Sequence, residues 1–299
     1  MEPARDPVLL FPGQGTEAPG MSAGWEAQPA WGAAVDEVAG RTGLPLRERL
    51  ARGPAEALRA QDTAPFAVLA HSVGVFRAWR AAGLRPRAAA GHSMGFYGAL
   101  VAAEVVPLAA AVDLIRAVEA RCAEAFAGEP MGMAFVIGIA EGDLQAALAA
   151  RPGLDLSNRN GRAQFTVSGP RADLEALVAE LGPEVLKAGL LPVRHPLHGP
   201  RMAGVAAAAA QALAGVVPAA PAFPLVSHRD GRLLATGGEA WAAGLASVAE
   251  PVDWLAVTAR LQALGGPLAE CGHGSQLAGL TRWADRTLEV RSLQVPPGR

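Results

Sequence analysis

The chain has 299 residues, enough for one large domain or a main domain with a smaller companion, and about half of them (51%) are hydrophobic. A net charge of −2, with Lys187 the only lysine, gives no basic surface for nucleic acid or an anionic membrane. Cys122 and Cys271 form neither a disulfide framework nor a zinc-binding spacing, which points to free thiols in a reducing compartment. The apolar runs Val8–Phe11 and Val205–Val217 are too short for a signal-peptide core and a bilayer span, respectively. A cytoplasmic protein is expected.

In chain order, Pro7–Phe11 reads as a short buried strand closed by the turn Pro12-Gly-Gln-Gly15. Helical periodicity runs from about Pro29 to Gly40 and from Ala64 to Ala82. After Gly83 comes a short strand of small residues, Arg87–Ala90, then Gly91 and a helix from Met94 to about Ala103. A further helix spans Leu108 to about Ala127. Strands alternating with helices predict an α/β fold with a parallel sheet covered on both faces.

From about Met131 to Arg194 the pattern changes: a strand over Met133–Ile139, a helix over Asp143–Ala150, a strand over Gln164–Ser168, a helix over Ala172–Leu181 and a strand over about Glu184–Val193. This compact αβ segment is expected to form its own small antiparallel layer. The main domain resumes with the alanine-rich helix after Pro200.

Gly91-His92-Ser93-Met94-Gly95 lies between a strand and a helix. A sharp turn there exposes the serine hydroxyl, and the glycines let the backbone pass without side-chain clashes. The Met94 N–H, at a helix N-terminus, is placed to stabilise an oxyanion. The near-copy Ala70-His71-Ser72-Val73-Gly74 lies inside a continuous helix and follows no strand, so it is expected to be inert. The turn at Gly13-Gln14-Gly15 is an ordinary β-turn or a second source of oxyanion donors.

A nucleophilic serine needs a base, and His71, His92, His195, His198, His228 and His273 are the candidates. His92 adjoins Ser93, its ring turned away or lining the pocket. The segment Leu191–Pro200 carries His195 and His198 back into the main domain, where a histidine can face the cleft. Their spacing would also suit a metal, but no further ligand set accompanies them, and no metal is expected. Arg116 and Arg121, on the helix after the elbow, are either solvated and paired with Glu119 or Glu124, or aimed into a pocket as a fork for a carboxylate.

With these residues in view, the chain resembles the malonyl-CoA:acyl-carrier-protein transacylases and the acyltransferase domains of polyketide synthases, over nearly its whole length. The matching segments, in order, are Leu10–Gly15, Asp62-Thr-Ala-Pro65, Gly91–Gly95, Arg121, Asn158-Arg-Asn160 with Gln164 and Ser168-Gly169, Leu191-Pro-Val193 leading to His198, Pro251–Trp254, and Gly272-His-Gly274 with Leu277. The resemblance implies an α/β-hydrolase-like large domain with a parallel sheet, formed by residues 1–129 and 197–299, and an inserted ferredoxin-like small domain, 130–196. It implies Ser93 as nucleophile, His198 as general base, backbone N–H groups of Gln14 and Met94 as oxyanion hole, and Arg121 as the malonyl carboxylate ligand. Malonyl-CoA would be the substrate, a phosphopantetheine-bearing acyl carrier protein the partner, and the enzyme a monomer with no bound cofactor, in fatty-acid or polyketide synthesis.

The chain departs from the family at Phe96, where an acidic residue is usual, and at Leu197, Ser247 and His273. Phe96, Leu197 and His92 are therefore expected to shape the acyl pocket. The rival readings are an acyl hydrolase of the same fold that clears carrier proteins, a generic esterase, and a non-catalytic docking subunit. Arg121 is the residue that argues against the hydrolase.

Overall fold

The computed structural model describes residues 6–298; residues 1–5 and 299, the ends of the expected large-domain segments, lie outside it. The chain opens with β1 (Val8–Phe11), α1 (Pro29–Thr42), α2 (Leu46–Arg52), α3 (Ala55–Arg59), α4 (Ala64–Ala81) and β2 (Ala88–Gly91). Next come α5 (Gly95–Ala102) and α6 (Leu108–Ala125). A middle segment holds β3 (Met131–Ile137), α7 (Glu141–Ala149), β4 (Asp155–Gly161), β5 (Gln164–Pro170), α8 (Arg171–Leu181) and β6 (Lys187–Leu190). The remainder is α9 (Ala203–Ala212), β7 (Leu225–Val226), β8 (Leu233–Leu234), α10 (Gly237–Ala246), β9 (Val252–Asp253), α11 (Trp254–Leu264), β10 (Leu268–Glu270), α12 (Gln276–Ala284) and β11 (Val290–Ser292).

The fold is mixed α/β with two sheets. The first has the order β11-β10-β1-β2-β7-β8, and all its pairs are parallel except β7–β8. β1 and β2 are central and buried throughout, which is why the sequence there is an unbroken apolar run rather than an alternating one. Successive side chains still point to opposite faces. Leu9, Phe11 and Ala89 join the core built with α1, α4, α5, α6 and α9, whereas Val8, Leu10, Ala88 and Ala90 pack on Trp254, Val257 and Leu261 of α11 and on Leu277 and Leu280 of α12. Each such leucine or valine contributes about 1.5–3 kcal/mol by leaving water.

The second sheet has the order β6-β3-β5-β4-β9. Its first four strands are antiparallel, and β9 adds in parallel to β4. Ala134 and Val136 face α7 and α8, whose Leu144, Leu174 and Leu177 complete a separate small core. The alternate residues Met133, Phe135 and Ile137 line a cleft on the other face. Arg159 of β4 ties the two parts of the sheet together, pairing with Glu141 on one side and with Asp253 at 2.6 Å on the other. The last strand is shorter than expected, because Pro192 has no N–H to continue the ladder.

Candidate active site

β2 ends at Gly91 and α5 begins at Gly95, so the chain turns from strand to helix over His92, Ser93 and Met94. Ser93 has φ +53°, the left-handed region that non-glycine residues seldom occupy. Such a conformation costs on the order of 1–3 kcal/mol and persists only where the surroundings enforce it. Here they do. Gly95 N–H donates to His92 O and Phe96 N–H to Ser93 O, both at 2.9 Å. A β-carbon on Gly91 would overlap Phe96 N, and one on Gly95 would overlap Phe11 O. The two glycines thus permit the helix to start directly against β1, leaving the serine at the apex.

His198 approaches from the segment after β6. It too is left-handed (φ +64°), and its N–H donates to Val248 O at 2.6 Å. Its Nδ1 lies 2.8 Å from Ser247 O and 3.2 Å from Glu250 O. Carbonyl oxygens only accept, so the proton resides on Nδ1 and the Nε2 lone pair is free. Nε2 lies 2.6 Å from Ser93 Oγ. Burial drives the His198 pKa down to about 4, His92 adds to the effect, and the two carbonyls oppose it. The ring is therefore neutral near pH 7 and able to take the serine proton. Among the described residues its Nδ1 partners are backbone carbonyls rather than a carboxylate.

The remaining candidates separate. His92 Nε2 donates to Asn160 Oδ1 at 2.7 Å, and its ring meets Trp254 edge-on, so it links the elbow to the second sheet while lining the cleft. His195 Nε2 lies 2.8 Å from Glu119 Oε2, and Gln61 Nε2 donates to Glu119 Oε1 at 2.8 Å. His195 and His198 thus have different partners, and among the described residues no group of three or more His, Cys, Asp or Glu side chains is arranged to hold a metal. Ser72 is buried within α4, in the middle of a continuous helix.

Two cavities meet at Ser93. The inner one, about 410 Å³ including its mouth, is lined by Ser93 and His198, by Gln14, Met94, Tyr97 and Ser247, by the apolar Ile115, Val118, Leu197 and Val248, and by Glu119. The outer cleft, about 1360 Å³ including open solvent, runs between the two sheets past His92, Asn160, Gln164 and Thr166, with the exposed Arg59 and the buried Glu17 also in its lining. Leu197 borders both.

Two expectations fail on geometry. Arg121 is on the outer side of α6, half-exposed and paired with Glu124 at 2.8 Å. The pocket meets that helix at Ile115, Val118 and Glu119, one turn (about 5.4 Å) earlier. Phe96 is fully buried in the core, its ring 4.9 Å from that of His228, and borders neither cavity. It stands one residue past Gly95 on the face of α5 turned from the pocket. Tyr97, Val118 and Glu119 line the inner pocket although no motif marked them. The signal available for Val118 was its place on the inward stripe of α6, with Leu114, Ile115 and Cys122.

Residues 8–238 match the family model described as an acyl transferase domain. The chain is 32% identical to the malonyl CoA-acyl carrier protein transacylase of Escherichia coli K12, over 97% of this chain and 96% of that protein. It is 30% identical to the protein of the same name from Mycobacterium tuberculosis H37Rv, with the same coverage. Among solved structures, the malonyl-CoA:acyl carrier protein transacylase of Xanthomonas oryzae superposes with a TM-score of 0.89 at 32% identity, covering 97% of this chain and 94% of that one. A malonyl-transacylase in complex with a type II PKS acyl-carrier protein superposes with a TM-score of 0.89 at 28% identity, covering 97% and 96%.

Proposed function

The chain belongs to the acyl transferase domain family and is an acyltransferase, and from that premise we propose that it performs the transacylase reaction for which its relatives are named. An acyl group, malonyl in those relatives' names, passes from CoA through an ester on Ser93 to the phosphopantetheine thiol of an acyl carrier protein. The observation that carries this reading is the 2.6 Å contact between Ser93 Oγ, held at a left-handed elbow, and His198 Nε2.

In the first half-reaction Ser93 Oγ attacks the thioester carbonyl carbon while its proton moves to His198 Nε2. The C–O bond forms, the tetrahedral oxygen takes up charge facing the N–H groups of Gln14 and Met94, and the C–S bond breaks. The CoA thiolate then accepts the proton from His198. In the second half the carrier thiol gives its proton to Nε2 and its sulfur attacks the ester. The C–S bond forms, the C–O bond breaks, and the proton returns to Ser93. Gln14 and Met94 are supported in the oxyanion role by lining the pocket beside Ser93, Met94 also by its place at the start of α5. The outer cleft sets the amide and hydroxyl groups of Asn158, Asn160, Gln164 and Thr166 among apolar side chains, a lining that suits the amide-bearing pantetheine arm.

For the architecture, we read the parallel sheet with its helices as an α/β-hydrolase-like domain, residues 1–129 and 197–299. Residues 130–196 form the ferredoxin-like insertion. The succession β3-α7-β4-β5-α8-β6 and the order β6-β3-β5-β4 support that reading. The buried, unpaired cysteines accord with a cytoplasmic location, and no helix among the described residues is long and apolar enough to cross a membrane. With Arg121 outside the pocket, its argument against the hydrolase lapses. Transfer rather than hydrolysis rests on the relatives' names.

The test is intact-mass measurement after incubation with acyl-CoA, followed by addition of phosphopantetheinylated carrier protein. The Ser93 ester should form and then move to the carrier. An ester that disappears to water at the same rate with and without carrier would refute transfer.

A further inference from the structure

We propose that the inner pocket selects an uncharged, short aliphatic acyl group over malonyl. This deepens the acyl-transfer reading and rests on it. Among the described residues the pocket wall contains no arginine or lysine. Its only imidazole, His198, is uncharged near neutral pH and already engaged on both nitrogens. The wall that an acyl chain leaving Ser93 would follow is apolar, made by Ile115, Val118, Leu197 and Val248. Glu119 also lines the pocket, and its two oxygens already accept from His195 and Gln61.

A malonyl group carries its carboxylate two carbons from the reacting carbonyl. In this pocket that charge would leave water, find no cation, and face the Glu119 carboxylate. A buried anion without a partner is strongly disfavoured, and a like charge nearby adds to the penalty. An acetyl, propionyl or butyryl group has no such cost and covers the apolar wall. Arg121 and Arg59 do not alter this. Arg121 is paired with Glu124 on the exterior, and Arg59 lies in the outer cleft, exposed. The cavity itself, without its open mouth, is only about 30 Å³, which confines the group to a short chain.

The experiment measures Ser93 acylation by mass in two donor series, matched in concentration: acetyl-, butyryl- and malonyl-CoA, and p-nitrophenyl butyrate against p-nitrophenyl hemisuccinate. The nitrophenyl esters need no CoA recognition and so test the pocket apart from the donor. Neutral groups should load at least tenfold faster than charged ones in both series, a difference of about 1.4 kcal/mol. If CoA thioesters fail altogether while the nitrophenyl series keeps its neutral preference, the transfer reading falls and the pocket assignment stands. Val118→Arg, and independently the milder Glu119→Gln, should shift the ratio toward the charged group. Faster loading of malonyl by the unaltered protein overturns the proposal, and loss of that preference in Arg59→Ala would place the carboxylate in the outer cleft. An unchanged ratio in both pocket variants also overturns it.

Discussion

The Tyr97 hydroxyl lies 2.9 Å from the Ser247 side-chain oxygen, while the carbonyl of the same Ser247 accepts from His198 Nδ1 at 2.8 Å. Tyr97 is on α5, the helix that starts at the serine elbow, and Ser247 caps the end of α10. The group that aims the base is thereby tied to the helix that follows the nucleophile. Burial raises the Tyr97 pKa to about 12, so the phenol keeps its proton for this bond. Tyr97→Phe should lower the acylation rate by about two- to tenfold, the scale of one lost hydrogen bond of 0.5–1.5 kcal/mol. Phosphonylation of Ser93 by a small probe should slow by a similar factor, since it draws on the same base. Measurement of kcat and KM separately checks this: an effect confined to KM would contradict a role in aiming the base.

Ser93→Ala should abolish the acyl adduct, and peptide mapping should place the wild-type adduct on the peptide that contains Ser93. Ser72→Ala should leave it, since Ser72 is enclosed within α4. His198→Ala should reduce acylation by about two orders of magnitude or more. His195→Ala should do less, because His195 faces Glu119 rather than Ser93. A larger loss from His195→Ala would refute the assignment of the base.

The pH profile follows from the burial of His198. The reactive form is the neutral ring, and its pKa is lowered from 6.5 to about 4. Acylation, kcat/KM, should therefore hold level from neutrality down through pH 6 and decline only as the pH approaches 4, by about tenfold per unit below it. The same sign applies to stability. The unfolded ring binds a proton near 6.5 and the folded ring does not, so stability present above pH 6.5 is lost progressively toward pH 4. Rates collected in short pulses at each pH, with circular dichroism alongside, separate the two. An acid limb near 6.5 with the fold intact would contradict a buried, neutral base.

Arg121→Ala should leave the ratio of neutral to malonyl loading unchanged, since Arg121 is paired with Glu124 outside the pocket. Its stability cost should be under about 1 kcal/mol, the usual worth of an exposed pair. A collapse of malonyl loading in this variant would show that α6 turns Arg121 inward when substrate binds.

The elbow was legible in the sequence because each residue of Gly91–Gly95 has a local reason: a strand before, a helix after, and glycines where a β-carbon has no room. His198 was legible only through family resemblance. It meets Ser93 across a chain separation of 105 residues, and the groups that orient it are backbone carbonyls, which have no side-chain signature. The extent of α6 was read well, but periodicity does not tell which turn of an 18-residue helix borders a pocket, and Arg121 was placed one turn too far along. Strands β7 to β11 are two or three residues long, too short for alternation to register, and α2 and α3 sit between prolines that read as loop.

The burial of His198 behind its carbonyl pair bears on the acyl donors the protein can use. Burial, only partly opposed by these two carbonyls, makes the His198 imidazolium a stronger acid and the neutral ring a weaker base, with a pKa of about 4. A base of lowered pKa works best when the acyl donor brings its own activation. A thioester does, because its departing sulfur is stable as an anion near pH 8.5 and needs little proton assistance. The site is thus matched to acyl groups that arrive already energised.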